Sequence, residues 1–168
     1  GGRVVDLGAA PGGWSQVSAK RVKAEEGKGV VVAIDMHSMD PIPSVAIFKK
    51  DFYDEDAPQV LIEALGGEKA DVVLSDMAAH ATGHRQTDHI NIIALVEMGY
   101  EFARTILKPG GTYLAKVLRG GTENEILKLL TLISAVAVVE MVKYWFHSVT
   151  RVFLSMFSSK AIKSLHAF

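Results

Sequence analysis

The sequence predicts an α/β fold in three αβα layers, built on a mostly parallel sheet. Short apolar, β-rich runs alternate along the chain with helical stretches. The runs lack strict apolar–polar alternation, which is typical of strands that are covered on both faces. Strands that alternate with helices favour a parallel sheet, because each helix returns the chain to the same end of the sheet. The length of 168 residues fits one domain, so residues 1–168 are predicted to form a single domain.

Strands are predicted from apolar, β-branched runs, and helices from apolar residues that recur every three or four positions. The predicted strands are residues 3–7, 29–34, 46–49, 71–75, 111–117, 136–142 and 151–157. The predicted helices are residues 13–24, 57–65, 91–107 and 122–134. The third helix is the clearest, since Ile92 and Leu95 lie on one face and a Pro-Gly-Gly run follows it. Thr122 and Glu125 are placed to form a capping box at the start of the fourth.

Composition limits the class of protein. Apolar residues make up 49% of the chain and charged residues 22%, so a buried core is expected and disorder is not. The absence of cysteine excludes disulfides, thiolate zinc sites and a cysteine nucleophile, and it suits a reducing compartment. No apolar run is long enough to span a bilayer and no leader is recognisable, so a cytoplasmic location without membrane contact is expected. The net charge of −1 gives no sign of a polyanionic partner.

A glycine-rich loop joins the first strand to the first helix. It does not match the dinucleotide fingerprint G-x-G-x-x-G, because Ala10 stands where that pattern needs glycine. The pattern is instead acidic-x-Gly-x-x-x-Gly, from Asp6 through Gly8 to Gly12. A glycine turn alone is weak evidence for a ligand, since tight turns need glycine in any case. Here the strand–loop–helix context and the acids described next favour a ligand site.

Three acids follow successive predicted strands. Asp35 ends the second strand, Asp51 follows the third and Asp76 follows the fourth. Each alone is compatible with a solvated loop acid or a helix cap. Ligands of doubly wound sheets bind at the carboxyl ends of the strands, so the three together predict a nucleoside pocket. In it Asp35 would accept the hydroxyls of a ribose and Asp51 would lie near an adenine edge.

The run from Asp6 to Gln16, DLGAAPGGWSQ, resembles the FtsJ-like (RlmE-type) ribose 2'-O-methyltransferases of RNA. The resemblance continues through Asp35-Met-His-Ser-Met-Asp-Pro41, Asp51-Phe52, Ser75-Asp-Met-Ala78, Leu107-Lys-Pro-Gly-Gly111 and Lys116-Val117. It implies a Rossmann-like class I methyltransferase fold, S-adenosylmethionine as methyl donor and no metal. By motif position, the residues expected to contact the donor are Gly12, Trp14, Asp35, Asp51 and Asp76.

The family works with a Lys-Asp-Lys-Glu tetrad, and this sequence matches its two middle residues, the aspartate and the second lysine. The resemblance assigns catalytic roles to Asp76 and Lys116. Lys116 would act as the base if neutral, or would steer the ribose hydroxyl if charged. The family's first lysine lies upstream of Gly1, and the chain opens on glycine directly against a strand, so an N-terminal segment is expected to be missing. Counted without gaps from Lys116, the position of the final glutamate corresponds to Arg151. Either the C-terminal part has diverged, or residues are missing near Tyr144 to Ser148, or the tetrad is incomplete.

The resemblance implies 2'-O-methylation of a ribose in RNA, with a uridine of large-subunit (23S-type) ribosomal RNA as the expected target. The expected partner is ribosomal RNA within the large subunit, and the expected state is a monomer. Two alternatives stay open: a tRNA ribose 2'-O-methyltransferase, and a catalytically weak donor-binding module for RNA or ribosome assembly, which Arg151 favours. Ala10 opposes a third hypothesis, an NAD-type oxidoreductase.

Two further groups of residues were weighed for ligand binding. His80 and His84 are four residues apart and His89 follows, but Ala81-Thr82-Gly83 is a poor helix former, so a metal site is not expected. Basic residues equally compatible with phosphate contacts or a solvated face are Lys20, Arg21, Lys23, Arg85 and Arg119.

Overall fold

A computed structural model describes residues 1–79, 82–118 and 137–142 of the chain. The strands are β1 (Arg3–Leu7), β2 (Val30–Asp35), β3 (Val45–Lys49), β4 (Ala70–Ser75), β5 (Leu107–Leu118) and β6 (Ala137–Val142). The helices are α1 (Gly13–Val22), α2 (Ala57–Ala64) and α3 (Arg85–Ile106), with a single 3₁₀ turn at Ala24–Glu26. The predicted helix 122–134 and strand 151–157 lie outside the described residues.

The six described strands form one sheet in the order β3-β2-β1-β4-β5-β6. Every pairing between neighbours is parallel, with β1 in register between β2 and β4. The chain adds β2 and β3 on one side of β1, then crosses back and adds β4, β5 and β6 on the other side. The point at which the strand order switches therefore lies between β1 and β4. This arrangement confirms the predicted α/β class with a parallel sheet.

Side chains of successive strand residues enter two different apolar clusters, because a strand points them alternately to opposite faces. In β1, Val5 belongs to the cluster that also holds Leu61 of α2 and Tyr100 of α3. Its neighbour Val4 belongs to the cluster that also holds Ala19 of α1. Helices α2 and α3 therefore cover one face of the sheet and α1 the other, which gives the three predicted layers.

Two helix boundaries differ from the predicted ones by two residues or more. Helix α1 ends at Val22 because Lys23 adopts a left-handed conformation with φ 58°. Helix α3 begins at Arg85 rather than at residue 91, ahead of the apolar periodicity. The Asp88 carboxylate holds this early start: it accepts hydrogen bonds from the amide of Thr82 at 2.5 Å and its hydroxyl at 2.6 Å. These bonds also lower the pKa of Asp88.

Strand β5 starts directly at the end of α3, with a register shift against β4 between Ala70 and Val72. The strand starts earlier than the predicted residue 111 because Leu107 already pairs with Ala70, and Gly110 lies in the irregular stretch that follows, with φ +79°. In the described part of the chain, no helix combines the length and the apolar character needed to cross a membrane.

Candidate functional site

A cavity of about 480 Å³ opens at the carboxyl ends of the strands. It lies next to the point between β1 and β4 where the strand order reverses, which is where doubly wound sheets bind ligands. Its volume is in the range of roughly 300–1,000 Å³ that is usual for small-molecule sites. The described lining residues are Gly8, Ala10, Ile34, Asp35, Met36, His37, Lys50, Asp51, Phe52, Tyr53, Asp76, Met77, Ala78, Ala79, Thr82, Asn91 and Leu95.

Gly8 lets the loop that leaves β1 lie directly against the chain that leaves β4. Its φ is +71°, and a Cβ added there would lie 2.7 Å from the Met77 amide nitrogen. The amide of Asp76 donates to the Leu7 carbonyl at 2.9 Å, which continues the β1–β4 pairing into the loops. On the other side, the Gly8 amide donates to the Ile34 carbonyl at 2.9 Å. The glycine loop is thus fixed between β2 and β4, at one wall of the cavity.

Asp35 connects the glycine loop to the loop after β2. Its Oδ2 accepts a hydrogen bond from the Ala10 amide at 2.9 Å, and its Oδ1 accepts one from the His37 amide at 2.7 Å. The ring Nδ1 of His37 also lies 3.1 Å from Oδ1. A carboxylate oxygen has two lone pairs, so Oδ2 of Asp35 keeps acceptor capacity at the cavity that the residue lines. Asp51 lines the same cavity, and its Oδ1 accepts the amide of Tyr53 at 3.0 Å.

Asp76 and Lys116 form an ion pair between neighbouring strands. Ser75 pairs in register with Ala115 in the parallel β4–β5 ladder, so the next residue on each chain lies at matching height. Asp76 lines the cavity, and both side chains are half-buried. The two predicted catalytic residues are therefore in direct contact beside the cavity.

Gly12 and Trp14 lie near the start of α1 and are not among the described lining residues of the cavity. Gly12 has φ +109°, and a Cβ there would come within 2.8 Å of Ile42 Cδ1 and 3.1 Å of Met39 Cε. Trp14 packs against the apolar cluster on the α1 face of the sheet. In this structure, the glycine allows close approach of the loop after β2, and the tryptophan contributes to packing.

Asp6 is fully buried in β1. Its Oδ2 accepts a hydrogen bond from the Ser15 hydroxyl at 2.6 Å, while its Oδ1 has no hydrogen-bond partner among the described residues. Burial raises the pKa of Asp6 to about 7, the bond from Ser15 opposes this shift, and the nearby charges of Asp76 and Asp35 add to it. The sequence alone predicts Asp6 only as the first member of the loop pattern. Its apolar neighbours in β1 were the available signal of burial.

Sequence reasoning also missed the other side chains around the cavity mouth. Met36 and Tyr53 are 48% and 63% exposed although both are large and apolar, and both line the cavity. Lys50 lines it as well, with its Nζ 2.8 Å from Asp56 Oδ1 and 3.2 Å from Asp54 Oδ2. These contacts raise the pKa of Lys50. The available signal was position, since each of the three lies within two residues of a predicted acid.

The histidines and basic residues discussed in the sequence analysis lie outside the described residues or are not among the described lining residues of the cavity. Within residues 1–79, 82–118 and 137–142, no group of three histidine or acidic side chains is placed to hold a metal ion. His80, Arg119 and Arg151 lie outside the described residues, as do the side chains of Arg85 and His89. Those of Lys20, Arg21 and Lys23 are exposed around the end of α1.

Comparison with known proteins gives consistent matches over most of the chain. A family model described as FtsJ-like methyltransferase matches residues 1–143. The chain is 60% identical over 127 residues to ribosomal RNA large subunit methyltransferase E of Xanthobacter autotrophicus, covering 76% of this chain and 50% of that protein. It is 58% identical over 137 residues to the protein of the same name from Parvibaculum lavamentivorans, with 77% and 54% covered. The chain thus spans about half the length of these curated relatives.

A solved structure gives the same picture for the fold. The chain is similar to a Plasmodium falciparum protein assigned as a ribosomal RNA methyltransferase, with a TM-score of 0.69 and 30% identity. The match covers 79% of this chain and 75% of that one. The resemblance inferred from the motifs is confirmed by these matches.

Asp6→Asn should make stability less dependent on pH. Since the pKa of Asp6 is about 7 in the fold against 3.8 in the unfolded chain, the native state keeps a proton that the unfolded state loses between these values. The wild type therefore loses stability as pH rises from about 4 to 7, and Asp6→Asn removes a cost of up to about 4 kcal/mol at pH 8. Urea denaturation of both proteins from pH 4.5 to 8 measures the difference. Parallel stability curves would contradict the burial argument.

Gly8→Ala should destabilise the fold more than a matched glycine substitution elsewhere. Gly66 has nearly the same φ, +75°, but a Cβ there meets nothing within 4 Å. Gly66→Ala is expected to cost about 1–2 kcal/mol for the left-handed conformation alone. Gly8→Ala adds the contact with Met77 and is expected to cost about 2–5 kcal/mol. Chemical denaturation of both variants tests this, and equal losses would show that the loop can move away from β4.

Proposed function

This chain belongs to the FtsJ-like methyltransferase family, and we propose that it transfers a methyl group from S-adenosylmethionine to a ribose 2'-hydroxyl of RNA. The proposed target is a uridine of large-subunit ribosomal RNA, in line with the names of its relatives. The observation that supports this best is the Asp76–Lys116 ion pair beside a cavity lined by Asp35 and Asp51.

The residues around the cavity fit S-adenosylmethionine as the methyl donor. Phe52 and Leu95 supply apolar surface for a nucleoside base, and Asp35 and Asp51 supply carboxylates with unused acceptor capacity for hydroxyl and amino groups. Gly8 leaves no room for a side chain where the glycine loop meets the wall of the cavity. When bound, the donor supplies a methyl group that is activated by a positively charged sulfur.

Lys116 and Asp76 would act on the RNA hydroxyl. A ribose hydroxyl is a weak nucleophile until its proton is removed, and a positioned base contributes about 10²–10⁴-fold. Asp76 contacts the Lys116 amine and so keeps it at the edge of the cavity. From there the amine would, if neutral, take up the proton of the hydroxyl as its oxygen accepts the methyl group; if charged, it would orient the hydroxyl while the proton passes to solvent. Alignment of this kind is worth up to roughly 7–11 kcal/mol.

This chain spans about half the length of a curated relative. RNA as the partner is therefore part of the proposal. Association with the large ribosomal subunit, the monomeric state and the cytoplasmic location stay predictions from the sequence. A second candidate function is a donor-binding assembly module with weak catalysis. Arg151 supports it, since it stands where the family pattern has its closing glutamate.

Transfer of labelled methyl groups tests the proposed reaction and its substrate class. The protein is incubated with isotope-labelled S-adenosylmethionine and either hypomethylated large ribosomal subunits, the free ribosomal RNA or tRNA. Label is expected at a ribose 2'-oxygen of ribosomal RNA. Donor binding without incorporation would favour the assembly module, label in tRNA alone would favour the tRNA alternative, and lack of donor binding would overturn the proposal.

Lys116→Ala is expected to reduce transfer by about 10²–10⁴-fold with little change in donor affinity, because the lysine acts on the hydroxyl. Single-turnover rates and calorimetric donor titrations measure the two effects. Lys108→Ala is the matched control, because Lys108 is also on β5 and paired with an aspartate, but its partner Asp71 is not among the described cavity residues, whereas Asp76 is. A loss of donor affinity in Lys116→Ala would show a binding role instead.

A further inference from the structure

We infer that Lys50 is a positioning residue for the donor: by bridging Asp54 and Asp56, it holds the turn that presents Asp51 and Phe52 to the cavity. This turn, residues 51–56, is called the acidic turn below. The inference rests on the proposed function, because it assigns the acidic turn to the donor. It concerns an ion-pair network that neither the glycine loop nor the Asp76–Lys116 pair involves.

The acidic turn is folded by short-range hydrogen bonds around Asp51. The Tyr53 amide donates to Asp51 Oδ1 at 3.0 Å, and the Asp54 amide donates to the Asp51 carbonyl at 3.1 Å. The Ala57 amide then donates to the Asp54 carbonyl at 3.0 Å, where α2 begins. The position of the Asp51 carboxylate therefore depends on the turn keeping its shape.

Repulsion among the acidic side chains of the turn opposes its folded shape. Four of the six residues in the acidic turn are acidic, and like charges at such close spacing repel. Of the described residues that line the cavity, Lys50 is the one lysine or arginine. Its side chain is only 23% exposed, whereas those of Asp54 and Asp56 are 49% and 67% exposed. The less exposed cation therefore draws two exposed carboxylates back toward the cavity wall.

Two other contacts fix the start of the acidic turn. The Lys50 amide donates to the Asp35 carbonyl at 2.9 Å, so the residue that bridges the turn is tied to the end of β2. Phe52 is buried and meets Phe102 of α3 edge to face, with ring centroids 5.3 Å apart. With the start of the turn fixed in this way, the two ion pairs of the Lys50 ammonium hold the later residues of the turn back toward the cavity wall.

The test compares wild type with Lys50→Met, which keeps an unbranched side chain but removes the charge. Donor Kd is expected to rise about fivefold, the effect of losing one or two partly exposed ion pairs. The turnover number at saturating donor should stay within twofold, because the Asp76–Lys116 pair is untouched. In the ligand-free protein, the amides of Tyr53 and Asp54 should exchange with solvent faster.

Lys28→Met is the matched control, because it removes an ion pair of 2.6 Å with Glu26 ahead of β2. It should change neither donor Kd nor the exchange of the turn amides. Lys50→Arg should restore most of the affinity by keeping the charge. Raising the salt concentration should weaken donor binding by wild type more than by Lys50→Met, since exposed charges are screened.

The outcomes distinguish a failure of the role inferred for Lys50 from a failure of the proposed function. Unchanged Kd and unchanged amide exchange in Lys50→Met would overturn the role of Lys50. A fall in turnover with unchanged Kd would also overturn it, since the residue would then act on chemistry. If wild type binds no donor, the proposed function fails. Amide exchange then still decides whether Lys50 orders the turn. Exchange in Lys50→Met that is no faster than in wild type would refute the ordering role as well.

Discussion

The cavity depends on one constraint, the in-register parallel pairing of β1 between β2 and β4. This pairing ends the three strands at the same edge, so the loops that leave them must share the space above it. Gly8 meets that constraint where the loops are closest, against the backbone of Met77. A bulkier residue there would separate the glycine loop from Asp76, and with it one wall of the cavity from the Asp76–Lys116 pair.

Because these loops meet at one edge of the sheet, several carboxyl groups lie close together there. Each of them is held by different contacts. Asp35 accepts hydrogen bonds from backbone amides, and Asp76 pairs with Lys116. The acids of the turn after β3 contact Lys50. Asp6, which has the least access to solvent, receives one hydroxyl bond and tends to keep its proton. A site that binds a positively charged donor can thus hold several acids within a small volume.

The sequence was sufficient to predict the six described strands and the acids at the edge of their sheet. Apolar runs mark covered strands, and the end of a strand determines where the next residue lies. Asp35, Asp51 and Asp76 were located in this way. The early start of α3 was not predictable from apolar spacing, since polar contacts of Asp88 hold its first turn. The bridge made by Lys50 depends on how a turn folds back in space, which periodicity does not encode.

The buried carboxyl of β1 has a consequence for how the protein exists in solution. With a pKa of about 7, Asp6 divides the molecules near neutral pH into two comparable populations that differ by a single internal proton. Ionised Asp35 and Asp76 favour the protonated population, and a cation bound beside them would favour the other. Binding of a cation at this edge of the sheet would then release the proton from those molecules in which Asp6 still carries it.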